Sequence, residues 1–340
     1  MTQLPALQTP TALPANRAEI AEKAKAYAAA AQSENTRKAY ISDWATFADW
    51  CAVQGVEALP ATAATVTAFL IDSAGKVAVT TQRRRISSIA DMHRKASFPL
   101  DLSGGGFRDV WAGIRRSHGR PPVKKAAMVT NVLRDAIEAL PETMAGVRDR
   151  ALLLVGFAGA LRRTELAAVE INNKGGAEVW IEDGADGLTV HIGRSKGDQH
   201  AAGQQVGIPF GSNPTTCPVR AWRDWLSASG LNEGPAFRSI NRHGQLGDAA
   251  LCDHAVALIV KRSIVAGAVA RGATESDAAA TARRFAGHSL RSGLATSAAA
   301  NDAPGHLIQA QLRHKKFDTT SSYIQNAMLH RRNAAGMAGL

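Results

Sequence analysis

Four short stretches of this chain hold residues that could do chemistry. "GALRRTELAAV" (159–169) sets Arg162 three residues before Glu165, the spacing of neighbours on one helix face. "VHIGRSKGDQH" places Lys196 at a turn between two strand-like runs. "GHSLRSGLAT" (287–296) repeats the three-residue spacing with His288 and Arg291, and its Gly287 and Ser289 leave room for another backbone to approach. "HKKFDTTSSYI" (314–324) sets His314 nine residues ahead of Tyr323, one of three tyrosines in 340 residues. Each has an ordinary structural use, such as an arginine pinned by a carboxylate or a solvated turn lysine. Together they fit one reaction. Breaking a phosphodiester builds negative charge on the nonbridging oxygens, which guanidinium forks and imidazole N–H groups can carry without a metal ion. A tyrosine can attack and hold the phosphate covalently. A phenol titrates near pH ~10, so it needs cationic surroundings and a base. A lysine on a turn can protonate the departing 5′ oxygen.

The bulk composition agrees with a polyanionic partner. Lys and Arg number 40 against 29 Asp and Glu, a formal charge of +11, and nucleic acid is the usual match for such an excess. Residues 1–128 carry +7 and the remainder +4, so both halves can grip the same polymer. Three cysteines, Cys51, Cys217 and Cys252, stand too far apart for a disulfide framework or a zinc site. No apolar run approaches membrane-spanning length, and the N-terminus lacks a signal-peptide pattern. The chain is expected in the cytoplasm, encoded by a bacterium or phage and associated with the nucleoid.

These groups need a scaffold to position them. Residues 1–19 read as a flexible leader rich in Pro, Thr and Ala. A helix follows a Ser/Asn/Thr cap cluster at 33–36, with Tyr40, Trp44, Phe47 and Cys51 at helical spacing. Further helical periodicity covers 62–73, about 80–96 and about 105–116, so 20–117 is expected as an all-helical domain. "SHGRPPVKKAAMVT" breaks the pattern, which predicts a linker over 118–129. The second domain, 130–340, is expected to be mostly helical, with helices near 130–139, 144–170, 218–229, 250–270, 286–300, 305–313 and 319–330. Three strand-like runs, "AEVWIE", "GLTVHIG" and "QQVGIPF", predict a small antiparallel sheet inside it. The fold class is therefore mainly α, of the α+β kind.

Arg83, Arg84 and Arg85 follow Thr80 and Thr81, which predicts caps and places the three cations in a first helical turn. There they oppose the helix dipole unless an anion binds, and a groove-entering helix reads bases from its N-terminal residues. Arg37 and Lys38 join them as candidate DNA contacts.

On these motifs the chain resembles a tyrosine recombinase of the phage integrase family, over roughly residues 30–330. The carriers are Arg-x-x-Glu in "LRRTEL", the hairpin lysine in "IGRSK", His-x-x-Arg in "GHSLR" and the His-to-Tyr spacing in "LRHKKFDTTSSY". Within the family it is most similar to the Cre-like simple site-specific recombinases. The resemblance implies that Arg162 and Arg291 clamp the scissile phosphate, with a further hydrogen bond from His314. His288 would accept the tyrosine proton, Lys196 would protonate the leaving oxygen, and Tyr323 would form a 3′-phosphotyrosyl link. Glu165 would orient Arg162. Neither metal nor ATP is then needed, and no cofactor is expected. Two domains would close as a C-shaped clamp on double-stranded DNA with inverted-repeat half-sites. A dimer would fill one site, a tetramer would synapse two through a Holliday junction, and a C-terminal helix would dock on a neighbouring subunit. Arg84 matches a base-contacting position of the Cre-like helix. A type IB topoisomerase and a noncatalytic DNA-binding regulator are the alternatives, separable by a supercoil-relaxation assay and a covalent-trapping gel.

Overall fold

The computed structural model describes residues 17–121, 123–173, 176–193 and 203–328. The chain divides into two compact units between Val123 and Lys124.

Among the described residues the first unit is all helical: α1 (Arg17–Ala30), α2 (Glu34–Gln54), α3 (Ala63–Ser73), α4 (Val79–Lys95) and α5 (Gly105–His118). Local chemistry sets the ends of α2. The Ser33 hydroxyl accepts the Thr36 N–H at 3.3 Å, and Gly55 closes the helix in the left-handed region at φ 66°. Phe47 and Cys51 of α2 face inward onto Val66, Phe69 and Leu70 of α3 and Ile89 of α4, a small aromatic-rich core. Phe47 and Phe69 meet edge-on at 5.2 Å. His93 is buried, its Nε2 accepting the Ala61 N–H at 2.8 Å.

The second unit opens with α6 (Thr130–Glu138), α7 (Met144–Ala158) and α8 (Arg163–Ala167), then β1 (Val169–Glu170), β2 (Val179–Gly184), β3 (Gly187–Ile192) and β4 (Gln204–Pro209). It continues through α9 (Pro218–Ser229), β5 (Arg238–Ile240), β6 (Leu246–Ala250), α10 (Asp253–Ala270), α11 (Glu275–Ala282), α12 (Ser289–Ala300), α13 (Gly305–Leu312) and α14 (Phe317–Met328). The three expected strands form an antiparallel meander, β2–β3–β4, with Val179 opposite Ile192 and Leu188 opposite Ile208. Leu188, Val190 and Ile192 alternate inward along β3. The sheet is mixed rather than purely antiparallel, because the short β1 adds in parallel beside β2, and β5 and β6 form a separate pair. The main core gathers Leu152 and Leu153 of α7, Trp222 and Trp225 of α9, and Val260 of α10. The Trp225 indole N–H is satisfied by the Ala236 carbonyl at 2.8 Å.

Four differences from the sequence pattern stand out. The single helix expected over 144–170 is two: α7 stops at Gly159, Ala160 takes φ 46°, and α8 restarts after Arg162. The stretch read as a linker is fastened from Lys125 onward, where Ala126 N donates to Arg284 O at 2.7 Å and Met128 N to Ser289 O at 2.9 Å. Gly293 of α12 allows this approach, since a Cβ there would stand 2.1 Å from the Met128 carbonyl oxygen. The helix α11 falls where no apolar periodicity signalled it. A fourth difference concerns Gly287, whose missing Cβ makes room for the Arg163 side chain rather than for a backbone.

Among the described residues, no helix is long and apolar enough to cross a membrane.

Candidate active site

The break between α7 and α8 is what builds the arginine end of the site. Arg162 is not on a helix face; it is the residue capping α8, in extended conformation, with Glu165 in the first turn. The Glu165 carboxylate receives the Arg162 backbone N–H at 2.8 Å on Oε2 and the Arg162 side-chain Nη1 at 2.6 Å on Oε1. A third bond reaches the same carboxylate from Arg313, whose Nη2 donates to Oε2 at 2.7 Å. Burial pushes the Glu165 carboxyl up, yet the hydrogen bonds and charge of Arg313, then Arg162, outweigh it and hold the group at about 2. Glu165 is therefore ionised at neutral pH, with both oxygens in use.

Arg291, at the start of α12, is 1% exposed. Two backbone carbonyls hold its guanidinium: Ala160, 2.6 Å from Nη1, and Leu312, which accepts from Nη2. Both precede or occupy unusual backbone, Ala160 at φ 46° and Arg313 at φ 55°. Burial lowers the Arg291 pKa to about 10, with the positive charge of Arg162 and Arg313 adding to it. It remains a cation at neutral pH.

The tyrosine end is packed by small residues. Ala295 and Ala299 of α12, with Ile308 and Leu312 of α13, form a cluster against which Tyr323, Ile324 and Ala327 of α14 lie. Alanines let α14 approach α12 closely, and this sets the height of the phenol. Its hydroxyl lies 3.4 Å from Nε2 of His288, the residue that begins α12. The His314 ring lies 6.2 Å from the Tyr323 ring, tilted by 21°. The Lys124 ammonium stands 5.9 Å from the centre of the tyrosine ring. His314 is fixed by Nδ1 against the buried Thr320 hydroxyl at 2.9 Å.

Both histidines sit close to the arginines of the site. Desolvation lowers the His288 pKa, and Arg291 and Arg162 lower it further. His314 falls to about 4, chiefly by burial, then by Arg291, Arg162, His288 and Arg313. His288 is nonetheless exposed to solvent.

Arg162, Glu165, His288, Arg291, His314 and Tyr323 thus converge from four segments of the second unit. Lys196 belongs to the stretch between Ile192 and Gln204 and lies outside the described residues. The root of that hairpin does border the site: Gln204, Gln309, Arg313 and His314 line one cavity of about 350 Å³. Sequence reasoning did not single out Arg313, Thr320 or Lys124. Arg313 adjoins His314 in the quoted motif, but no spacing rule marks it.

The candidate DNA-reading residues are in the first unit. The helix α4 starts at Val79, capped by Ala78 with no side-chain bond, so Arg83–Arg85 fall in its second turn and not its first. Arg84 grips the buried Asp43 of α2 with two bonds, Nε at 2.6 Å and Nη2 at 3.1 Å. Arg85 is mostly buried, 3.8 Å from Asp43 and 5.6 Å from the centre of the Phe69 ring. Arg83 is exposed. On α2, Arg37 is exposed, and Lys38 pairs with Glu34 at 2.7 Å on the surface.

Residues 127–330 match the phage integrase family model. An integrase/recombinase xerD homolog of Selenomonas ruminantium is 34% identical over 323 residues, covering 94% of this chain and 89% of the relative. The chain belongs to the phage integrase family. It is also 23% identical over 209 residues to the recombinase Cre of Escherichia phage P1, spanning 60% of this chain and 57% of that one. Among solved structures, the site-specific recombinase XerH, bound to a palindromic difH substrate in a post-cleavage complex, shares the fold. Its TM-score is 0.54 at 14% identity, over 82% of this chain and 73% of that one.

Proposed function

We propose that this chain is a site-specific DNA recombinase that cuts and rejoins double-stranded DNA through a 3′-phosphotyrosyl intermediate. The observation that carries it is the Tyr323 hydroxyl 3.4 Å from a His288 ring whose pKa is lowered by burial and by the neighbouring Arg291 and Arg162.

In this reading His288, neutral at pH 7, takes the phenol proton as the Tyr323 oxygen attacks phosphorus. The bond from phosphorus to the 5′ oxygen breaks, and Lys196 supplies the proton that makes a 5′ hydroxyl. Arg162 and Arg291 hold the nonbridging oxygens, where charge grows in the transition state. If Thr320 donates to Nδ1 of His314, that ring keeps its proton on Nε2 and can donate to the phosphate as well. The reverse reaction, with a 5′ hydroxyl from another duplex attacking the phosphotyrosine, completes strand exchange. The link preserves the phosphodiester energy, so no ATP enters.

DNA with inverted-repeat half-sites is the proposed substrate, with a dimer on each site and a tetramer at synapsis. Support comes from the palindromic substrate of XerH and from the +11 charge of this chain. The second unit would carry the chemistry and the first would grip the duplex. Of the expected subunit-docking tail, 326–340, residues 326–328 end α14 and the rest lies outside the described residues. The site of action would be the cytoplasm, on the nucleoid. Incubation with a nicked suicide duplex, carrying a site selected for binding from a random DNA library, tests the proposal: an SDS-resistant adduct is expected. Its absence, with DNA still bound, would turn the reading to a noncatalytic binder.

A further inference from the structure

We propose that Arg313 is a positioning residue of this site, acting on Arg162 through the Glu165 carboxylate that the two arginines share. The proposal rests on the recombinase reading above. Its geometry is direct: one Glu165 oxygen, Oε2, accepts both the Arg162 backbone N–H at 2.8 Å and Arg313 Nη2 at 2.7 Å. The other, Oε1, accepts Arg162 Nη1 at 2.6 Å. Arg313 therefore fixes the plane of the carboxylate that aims the Arg162 guanidinium. The same Nη2 lies 3.3 Å from the Ala160 carbonyl, which is the acceptor that holds Arg291.

Stability alone does not account for an arginine here. Arg313 has φ 55°, a conformation that a β-carbon disfavours and glycine adopts freely. Its side chain is 3% exposed, and its Nε and Nη1 are buried with no hydrogen-bond partner among the described residues. Strained backbone and an incompletely satisfied buried cation are features that persist where a site requires them. Arg313 also sits one residue before His314 and one after Leu312, whose carbonyl receives Arg291. The Glu165 bond, at 2.7 Å, is the shorter of its two contacts, and it is the path the proposal assigns.

The test uses the full chain with Arg313→Gly and Arg313→Lys, each alone and in an Arg162→Lys background. Single-turnover cleavage of a suicide duplex is measured at saturating DNA, with Kd for the site and the thermal midpoint measured in parallel. Glycine relieves the backbone strain and so offsets part of the lost Glu165 pair. Arg313→Gly should therefore lower the midpoint only modestly and leave Kd within about threefold, while cleavage slows about 10- to 100-fold, the scale of a misplaced catalytic group. Lysine should restore part of the rate. In the Arg162→Lys background the further loss should shrink to under about threefold, because the path runs through Arg162. An unchanged rate for Arg313→Gly would overturn the proposal, as would a full, independent loss in that background. A midpoint that falls steeply with the rate, and no recovery with lysine, would make Arg313 a packing residue. Failure of the parent itself to form an adduct would instead bring down the recombinase reading.

Discussion

The Tyr323 hydroxyl and His288 Nε2, 35 residues apart in sequence, stand 3.4 Å from each other. The distance is long for a formed hydrogen bond and suited to one that tightens when substrate arrives. It depends on the alanine seam between α12 and α14.

Tyr323→Phe removes only the attacking oxygen. The variant should bind the site like the parent and form no SDS-resistant adduct, read on a denaturing gel with labelled suicide duplex. An adduct from the phenylalanine variant would assign the nucleophile elsewhere. His288→Asn should bind normally and cleave about 10²–10⁴-fold more slowly, the range for a lost general base.

The histidines also give the protein a pH signature. The folded chain holds His314 at about 4, whereas the unfolded chain protonates it near 6.5. Below 6.5 the unfolded state binds more protons, so stability falls as pH drops from 6.5 toward 4. His288 shifts in the same direction. Glu165 acts lower, between its ordinary 4.5 and about 2, also losing stability as pH falls. Denaturant titrations of the parent and His314→Gln from pH 8 to 4.5 should show a shallower decline in the variant. Parallel curves would mean that His314 titrates normally in the folded chain.

Much of the site was legible because its residues obey fixed spacings, and spacing survives folding. Ser33 marked the start of α2, and the stripe from Phe47 to Cys51 marked its buried face. What stayed hidden was set by backbone conformation and by long-range pairing. Ala160 at φ 46° ends α7, and nothing about an alanine announces that. Arg313 likewise looks like any cation until its φ and its bond to Glu165 are known. Thr274, which caps α11 through the Asp277 N–H, was a readable signal, but the helix behind it is nearly all small residues and shows no stripe. Asp43 and Arg84 are 41 residues apart, beyond any local rule.

Arg162→Lys keeps the charge and loses the planar fork, so cleavage should drop about 10²–10³-fold with DNA affinity nearly intact. Cleavage by the parent should be unchanged in EDTA. The ground is the donor set: Glu165 is the carboxylate that meets these arginines, and both its oxygens are engaged by Arg162 and Arg313. Inhibition by EDTA, reversed by a divalent cation, would contradict that reading.

The last prediction separates holding the first unit together from reading DNA. Arg84 matched a base-reading position by resemblance, but its guanidinium is engaged twice by Asp43, which is 3% exposed. Removing one partner of a buried pair leaves a buried charge, at about 3–5 kcal/mol for full burial. Arg84 is half exposed and Arg85 stays 3.8 Å from Asp43, so Arg84→Ala should cost about 1–3 kcal/mol of stability. Its DNA affinity should then fall alike across a panel of single-base site variants. Arg83 is exposed on the same helix, and Arg83→Ala should leave stability within about 0.5 kcal/mol. As a phosphate contact it should lower the salt slope by about one counterion. Denaturant melts with binding at two salt concentrations decide between them. Loss of preference at one base position in Arg84→Ala, with stability intact, would return Arg84 to the role of base reader. It would also mean that the Asp43 pair opens when DNA binds.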